Sequence, residues 1–368
     1  MSRFLNFCRR EAVFSISFLA ALASCFFVPP DGAYLGYVDF RTLALLYCLM
    51  VVVSAFRGAG AFTALAHALC DRVHTVRGLG TVLVALCFFS SMLITNDVAL
   101  LTFVPFAISV LGMAGERKHV ALVVVLQTVA ANLGSMLTPV GNPQNLYLYS
   151  FYSFSAADFF KLTLPVWLLS LLLLALCCLR LPAAGSAVFL GEEPGMHKKE
   201  LPLYVALFLL CLLTVFRVLP WPLMLAGVLA ALFFFRRSLL RQADFMLLLT
   251  FVCFFVFAGN LARIPSVASF LRSAMAGREF LLSLLCSQVI SNVPAAVLLS
   301  GFTENGRALL LGVDVGGLGT CVASLASLIG LKLYSRAEDA APGRFLLLFT
   351  AVNVLFLVPL SALSLWLQ

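Results

Sequence analysis

The chain reads as long apolar blocks separated by short polar caps, at about 12 to 28, 40 to 56, 119 to 137, 163 to 180, 201 to 217, 220 to 235, 243 to 259 and 343 to 366. Each approaches the roughly twenty residues that carry a helix across a hydrocarbon core of about 30 Å, so each is expected to be a membrane span. Two further blocks break this pattern. From Phe280 the apolar run reaches only Ile290, is interrupted by "SNVP", and resumes to Phe302. At 1.5 Å per residue each arm is about 16 Å long as a helix and cannot cross alone. Pro294 lacks an N–H and clashes with the preceding turn, whereas Asn292 suits the start of a new helix, so a re-entrant hairpin is expected. The stretch "SSMLITNDVALLTFVP" sets Thr95, Asn96 and Asp97 between longer arms, Leu79 to Ile94 and Val98 to Gly112, and reads as a second hairpin.

Two more blocks read as interrupted helices. "ANLGSMLTPVGNPQNLYLY" breaks between Thr138 and Asn145, where Asn142 and Pro143 supply the N-cap and first-turn residues of a restarting helix. "GVDVGGLGTCVASLASLIGLKLY" passes through Gly316, Gly317, Gly319, Thr320 and Ser324 without a strong helix former. Irregular backbone at membrane depth is tolerated only where it is buried in protein or lines a wet cavity. The four pieces pair as a weak repeat: Ser91-x-x-Ile94-Thr95-Asn96 with Ser287-x-x-Ile290-Ser291-Asn292, and Thr138-x-x-Gly141-Asn142-x-x-Asn145 with Thr320-x-x-Ala323-Ser324-x-x-Ser327. The expected organisation is an N-terminal helix and outer loop (1–38), a first repeat (39–181), a cytoplasmic linker (182–200) and a second repeat (201–368).

Composition turns this pattern into a class. Of the 368 residues 62% are hydrophobic and 11% charged, and the mean hydropathy is +1.07, which a soluble domain could not carry on a water-facing surface. An all-α polytopic membrane protein of about 10 to 11 transmembrane helices follows. The block at 12 to 27 lacks a small-x-small cleavage site and is expected to stay as the first helix. The net charge of +8 sits in caps rather than in a stripe, so it reports topology and not nucleic-acid binding. With the N-terminus in the cytoplasm, 17 of the 24 Lys and Arg fall inside, among them Arg57, Arg77, Arg117, Arg236, Arg336 and Arg344. The first hairpin then opens to the cytoplasm and the second to the outside, an inverted arrangement found in many secondary transporters. Eleven scattered Cys show no metal-ligand spacing to the four His, and no metal centre is expected.

At each tip an Asn precedes a helix start, so backbone N–H groups and a helix-dipole positive end point to the midplane while oxygens offer cation ligands. Asp97 falls in the first turn of the returning arm, as a cation or proton site or as a charge that orders the tip. The alternative for "TND" is an ordinary turn at the outer surface. Asp314 is a second coupling candidate, with a place near the outer interface as its alternative reading.

These motifs, "TNDVALLTFVP", "GNPQN", "SNVPA" and "GVDVGGLGTCVASLASL", resemble the ion transporter superfamily, in particular its arsenite permease and citrate-transporter-like branch, from about Arg41 to the C-terminus. The resemblance implies a permease of the cytoplasmic membrane that moves a small anion such as citrate, a dicarboxylate or arsenite by alternating access, coupled to H+ or Na+. It places substrate and ion at Thr95, Asn96, Asp97, Gly141, Asn142 and Asn145 in one half and at Ser291, Asn292, Thr320, Ala323 and Ser324 in the other. Na+, if used, would sit at Thr95, Asn96, Ser291 and Asn292. No cofactor beyond the coupling ion is implied; the partners are the small anion and the lipid bilayer, with a homodimer and, for an arsenite substrate, a pump ATPase subunit as further candidates. The tips depart from the Ser-Asn-Thr of the dicarboxylate members, and Asp97 and Asp314 lean toward the arsenite-permease pattern. A sodium/proton antiporter of the same superfamily is the alternative function. An intramembrane aspartyl protease would need Gly-x-Gly-Asp and Tyr-Asp contexts, which are absent from the sequence.

Overall fold

The computed structural model describes residues 11–183, 185 and 195–368, so the basic cap of Arg3, Arg9 and Arg10 and most of the linker lie outside the described residues. Helices α1 (Ala12–Phe27), α2 (Tyr34–Tyr37), α3 (Phe40–Gly58) and α4 (Ala61–Cys70) lead into the first hairpin, α5 (Val76–Ile94) and α6 (Asn96–Met113). The first broken helix is α7 (Val120–Ser135) and α8 (Pro143–Phe151), followed by α9 (Ala156–Cys178). After the linker come α10 (Leu201–Val215), α11 (Trp221–Phe235), α12 (Phe245–Arg263) and α13 (Pro265–Met275). The second hairpin, α14 (Glu279–Ile290) and α15 (Asn292–Ser300), precedes the second broken helix, α16 (Gly306–Val315) and α17 (Leu325–Tyr334), and α18 (Pro342–Trp366) ends the chain.

Polar side chains start many of these helices by accepting an orphan backbone N–H. Asp39 takes that of Thr42, Thr75 that of Gly78, Ser155 that of Asp158 and Asp244 that of Leu247. Among the described residues, seven helices are long and apolar enough to cross a membrane, fewer than the sequence pattern suggests. The blocks at 12 to 28, 201 to 217 and 220 to 235 yield helices of 16, 15 and 15 residues, about 22 to 24 Å long. Hydropathy runs past helix ends that backbone geometry sets: Arg217 turns at φ 63°, and Pro29 and Pro30 follow α1 closely. On α9, Leu164, Leu168, Leu172 and Leu176 recur every four residues and are all exposed, a stripe suited to hydrocarbon.

Contacts between loops show how the hairpins are oriented. The mouth of the first is tied to the C-terminal end of α9, where Arg77 Nε donates to the Leu181 carbonyl at 2.9 Å and Arg77 N to that of Pro182 at 2.9 Å. Its other arm is followed by Arg117, which pairs with Glu338 at 2.5 Å and Asp339 at 3.3 Å. The mouth of the second is tied to the N-terminal end of α9: Tyr152 Oη donates to the Thr303 carbonyl at 2.9 Å, and Thr303 Oγ1 to Glu279 at 3.5 Å. Because α9 has 23 residues and spans about 35 Å, the hairpins enter from opposite ends of the molecule.

Within each half the hairpin lies against its own broken helix through a glycine. A Cβ on Gly134 would stand 2.0 Å from the Phe88 carbonyl oxygen, and one on Gly316 would stand 2.9 Å from Leu284 Cα. Phe88 and Leu284 hold the same place in the two hairpins, and so do Gly134 and Gly316 in the two broken helices. A close approach of backbones is therefore repeated at equivalent positions.

Gly112 and Gly301, at the mouths of the two hairpins, have open space where a Cβ would go. Single cysteines placed there, in a protein whose native cysteines are replaced, are expected to react with an impermeant maleimide from opposite sides of the membrane. Labelling of both from one side in sealed vesicles would contradict the inverted orientation.

Candidate functional site

Each hairpin turns on one residue in an unusual conformation. Thr95 has φ 69° and ψ 149°, and Ser291 has φ 73° and ψ 155°. Positive φ is costly for residues with a Cβ, and both are held by the same set of bonds. Asn96 N donates to the Gly141 carbonyl at 3.2 Å, and Asn292 N to the Ala323 carbonyl at 2.9 Å. Thr138 Oγ1 donates to the Met92 carbonyl, and Thr320 Oγ1 to that of Gln288 at 3.2 Å. Past the break Asn142 Oδ1 accepts from Asn145 N at 2.8 Å, with Pro143 in the first turn, while Ser324 Oγ accepts from Ala326 N at 3.2 Å.

One expectation needs correction, and two alternative readings fall away. Asn96 and Asn292 are not N-caps: Thr95 and Ser291 hold that position, and each Asn Oδ1 accepts from the next residue's N–H, Asp97 at 2.9 Å and Val293 at 3.0 Å. The positive-φ turn already redirects the chain, so the side chain closes a shorter loop than a cap would. The first tip is not a surface turn, since Ile94 and Asn96 are 4% and 5% exposed. Asp314 does not lie at an interface; it is 3% exposed, at the end of α16, with the amides of Asn142, Gln144 and Asn145 facing it. Thr320 alone among the expected site residues is exposed, because the chain turns outward at Gly319 (φ 105°).

The halves meet by exchange. The return helix of each hairpin packs on the restarted helix of the other half, α6 on α17 and α15 on α8. At their crossing Asn132, fully inside α7, accepts from Asn96 Nδ2 at 3.2 Å and from Ser324 Oγ at 2.8 Å, and donates to Ser327 Oγ at 3.4 Å. One side chain thus joins the first tip to the second half. Asp314 is its counterpart, six residues before Thr320 as Asn132 is before Thr138, and it faces Asn142 and Asn145, the counterparts of Ser324 and Ser327.

A cavity of about 200 Å³ reaches the first tip, lined by Thr95, Asp97, Asn142 and Pro143 on one side and by Arg57, Gln242 and Asp244 on the other. Helices α6 and α8 both begin at its wall, so two positive dipole ends face it. Asp97 is half-buried in the first turn of α6, and its Oδ1 is enclosed without a hydrogen-bond partner. Ser291 of the second tip borders a different cavity, of about 460 Å³ and almost wholly apolar, with Val13, Ile16, Phe257 and Leu328.

The model of the citrate transporter family CitMHS matches residues 6–305. The chain belongs to this family. An uncharacterised transporter of Methanocaldococcus jannaschii is 33% identical over 88% of this chain and 89% of its own, and the inner membrane protein YbiR of Escherichia coli 30% identical over 90% of each. The silicon efflux transporter LSI3 of rice is 33% identical over 41% of this chain and 31% of its own. The crystal structure of the Alcanivorax borkumensis YdaH transporter superposes with a TM-score of 0.63 over 91% of this chain and 87% of that one, at 14% identity, a likeness of fold.

For this citrate-transporter-family member the structure adds Asn132, Ser327, Gln144, Arg57 and Asp244 to the residues that motifs suggested. Asn132 was within reach of the repeat, since extending the Thr138–Thr320 pairing upstream aligns it with Asp314. Arg57 and Asp244 carry no local signal, as each caps an unremarkable span. Asn132→Ala removes three hydrogen bonds and leaves Asn96 Nδ2 and Ser324 Oγ without a buried partner, at about 1 to 3 kcal/mol for each group. A clear fall in the melting temperature of the detergent-purified protein is expected, and an unchanged melt would show that water replaces the lost amide.

Proposed function

We propose that this transporter moves a small anion such as citrate, a dicarboxylate or arsenite by alternating access, coupled to H+ or Na+ through Asp97. The single observation that carries the reading is the cavity at the first tip. It brings two helix N-termini, the Arg57 guanidinium and the Asp97 carboxyl to one small volume, while the cavity that borders Ser291 of the second tip is almost wholly apolar. Helix ends and one arginine suit an anion; the carboxyl suits the cation that accompanies it. Substrate would then be exchanged between the tips as the hairpins, entering from opposite ends, alternate in exposing the crossing at Asn132. Arg57 lines the cavity, and Arg57, Arg77 and Arg117 belong to the caps that the positive-inside rule would assign to the cytoplasm; on this reading the cavity is inward-facing and the N-terminus cytoplasmic.

A second reading has its own support. Asp97 and Asp244 give the cavity two carboxylates against one guanidinium, as a sodium/proton antiporter would need. Proteoliposomes under imposed gradients separate the two, with labelled citrate, succinate, arsenite and Na+, and with silicic acid added because of the rice relative. Saturable, counterflow-capable flux of one anion supports the first reading; Na+ and H+ exchange with no anion flux replaces it by the second.

Asp97→Asn keeps the size of the side chain and removes its charge. If Asp97 carries the coupling cation, uphill accumulation fails while exchange at equal concentrations survives. If it serves only as a first-turn charge, worth about 0.3 to 1 kcal/mol, the ratio of accumulation to counterflow stays at the wild-type value.

A further inference from the structure

Asp314 poses a problem that the cavity does not answer. Both of its carboxylate oxygens are buried and lack a hydrogen-bond partner, and so are Gln144 Oε1 and Asn145 Oδ1 in the same cluster. Most of the donors nearby are already committed. Asn145 Nδ2 is given to the carbonyls of Met136 at 3.1 Å and Thr138 at 3.4 Å, and Asn142 Nδ2 to Ser135 Oγ at 3.2 Å. Turning the Asn145 amide over would set its oxygen against two carbonyls, so the orientation is fixed by its partners. One N–H of Asn142 and the two of Gln144 remain to serve four acceptors. In the equivalent place of the other half Asn132 supplies its own donor and is satisfied.

No cation offsets the charge. The helices packed on α16 are α14, α15, α18, α8, α9 and α7. Their charged groups are Glu279, Arg344, Asp158 and Lys161, and their phenols and thiols are Tyr147, Tyr149, Cys177, Cys178 and Cys286. Only the amides of Asn142, Gln144 and Asn145 act on Asp314. A buried carboxylate without a counter-charge is strongly unfavourable, so this arrangement calls for a bound cation.

We propose that Asp314, Gln144 and Asn145 hold one sodium ion between the two halves. The donor set is all oxygen with a single charge, which balances a monovalent cation, and among the described residues no cluster of three or more His, Cys, Asp or Glu offers a divalent ion more. A proton on Asp314 would remove the charge and is the rival occupant; a sodium ion balances the charge and is coordinated by the carboxylate and both amide oxygens together. The ligands come from α16 of the second half and α8 of the first, so a bound ion ties together the elements that alternating access must separate. That role rests on the transporter reading above, but the binding does not.

Equilibrium binding of 22Na+ to the purified full chain in detergent, without any substrate, tests the site. Saturable binding is expected in the wild type and in Asp97→Asn. It should vanish in Asp314→Asn, which copies the amide found at Asn132, and weaken at least about tenfold in Gln144→Ala and Asn145→Ala, the size of loss that supporting groups of metal sites show. Should Asp314→Asn fail to fold by gel filtration, the two alanine variants decide alone, and an unchanged affinity in both overturns the proposal. Absence of sodium binding by the wild type overturns it too, as does binding lost in Asp97→Asn and kept in Asp314→Asn. A melt that responds to pH and not to sodium, with the response abolished in Asp314→Asn, assigns the carboxyl to a proton and overturns the sodium site. Failure of the flux experiments with sodium binding intact would remove the transport reading and leave the site.

Discussion

A helix that stops inside an apolar environment leaves backbone N–H and C=O groups that no water will satisfy, and the structure is arranged around that constraint. The answer is one backbone bond used twice. At each hairpin tip the first N–H of the returning helix goes to a carbonyl in the gap of the broken helix, Asn96 to Gly141 and Asn292 to Ala323. That bond holds Thr95 and Ser291 at positive φ, and it fixes the distance between hairpin and broken helix. Gly134 and Gly316 follow from it, because hairpin and broken helix then pass too close for a side chain.

From the same pairing comes the exchange between halves. Each return helix packs on the other half's restarted helix, so residues at positions 132 and 314 look across the interface. Here the repeat has diverged. Asn132 closes a network of neutral amide and hydroxyl groups, whereas Asp314 brings a charge to amides with too few free donors for it. The surroundings of the tips diverge in parallel: the first borders a polar cavity with Arg57, Asp97 and Asp244, the second an apolar one. An architecture of two similar halves thus carries unlike chemistry, and family membership fixes the architecture more firmly than the chemistry.

The ends of the molecule are held differently from its centre. Exposed ion pairs, Arg117 with Glu338 and Arg263 with Asp31 at 2.7 Å, join loops at opposite ends, and the Arg263 guanidinium holds the Asp31 carboxyl below its ordinary range. Such pairs contribute little to stability. Cohesion comes instead from helices such as α7, whose residues from Val123 to Ser135 are all buried, and the bilayer covers the exposed leucine stripe of α9.

What the sequence by itself determined was the class of protein, the broken segments and the repeat. Hydropathy, proline and glycine act locally: short apolar arms around "SNVP", Asn142 before Pro143, and matched Ser, Asn and Thr spacings are visible without any fold. Helix length was less legible, because apolar runs continue past the residues where backbone dihedrals end a helix, as at Arg217. Only the tertiary structure decided which side chains meet. The part played by Asn132 depends on Asn96 and Ser324, which lie 36 and 192 positions away, and the cavity's charge depends on Arg57 and Asp244, each at the end of an ordinary span. The same holds for Asp314: the sequence left open a place near the outer interface, and the packing of α16 among six helices buried it. Local propensity cannot report such contacts, since they are set by how closely the two halves approach, and that approach is set by the tip bonds and the two glycines.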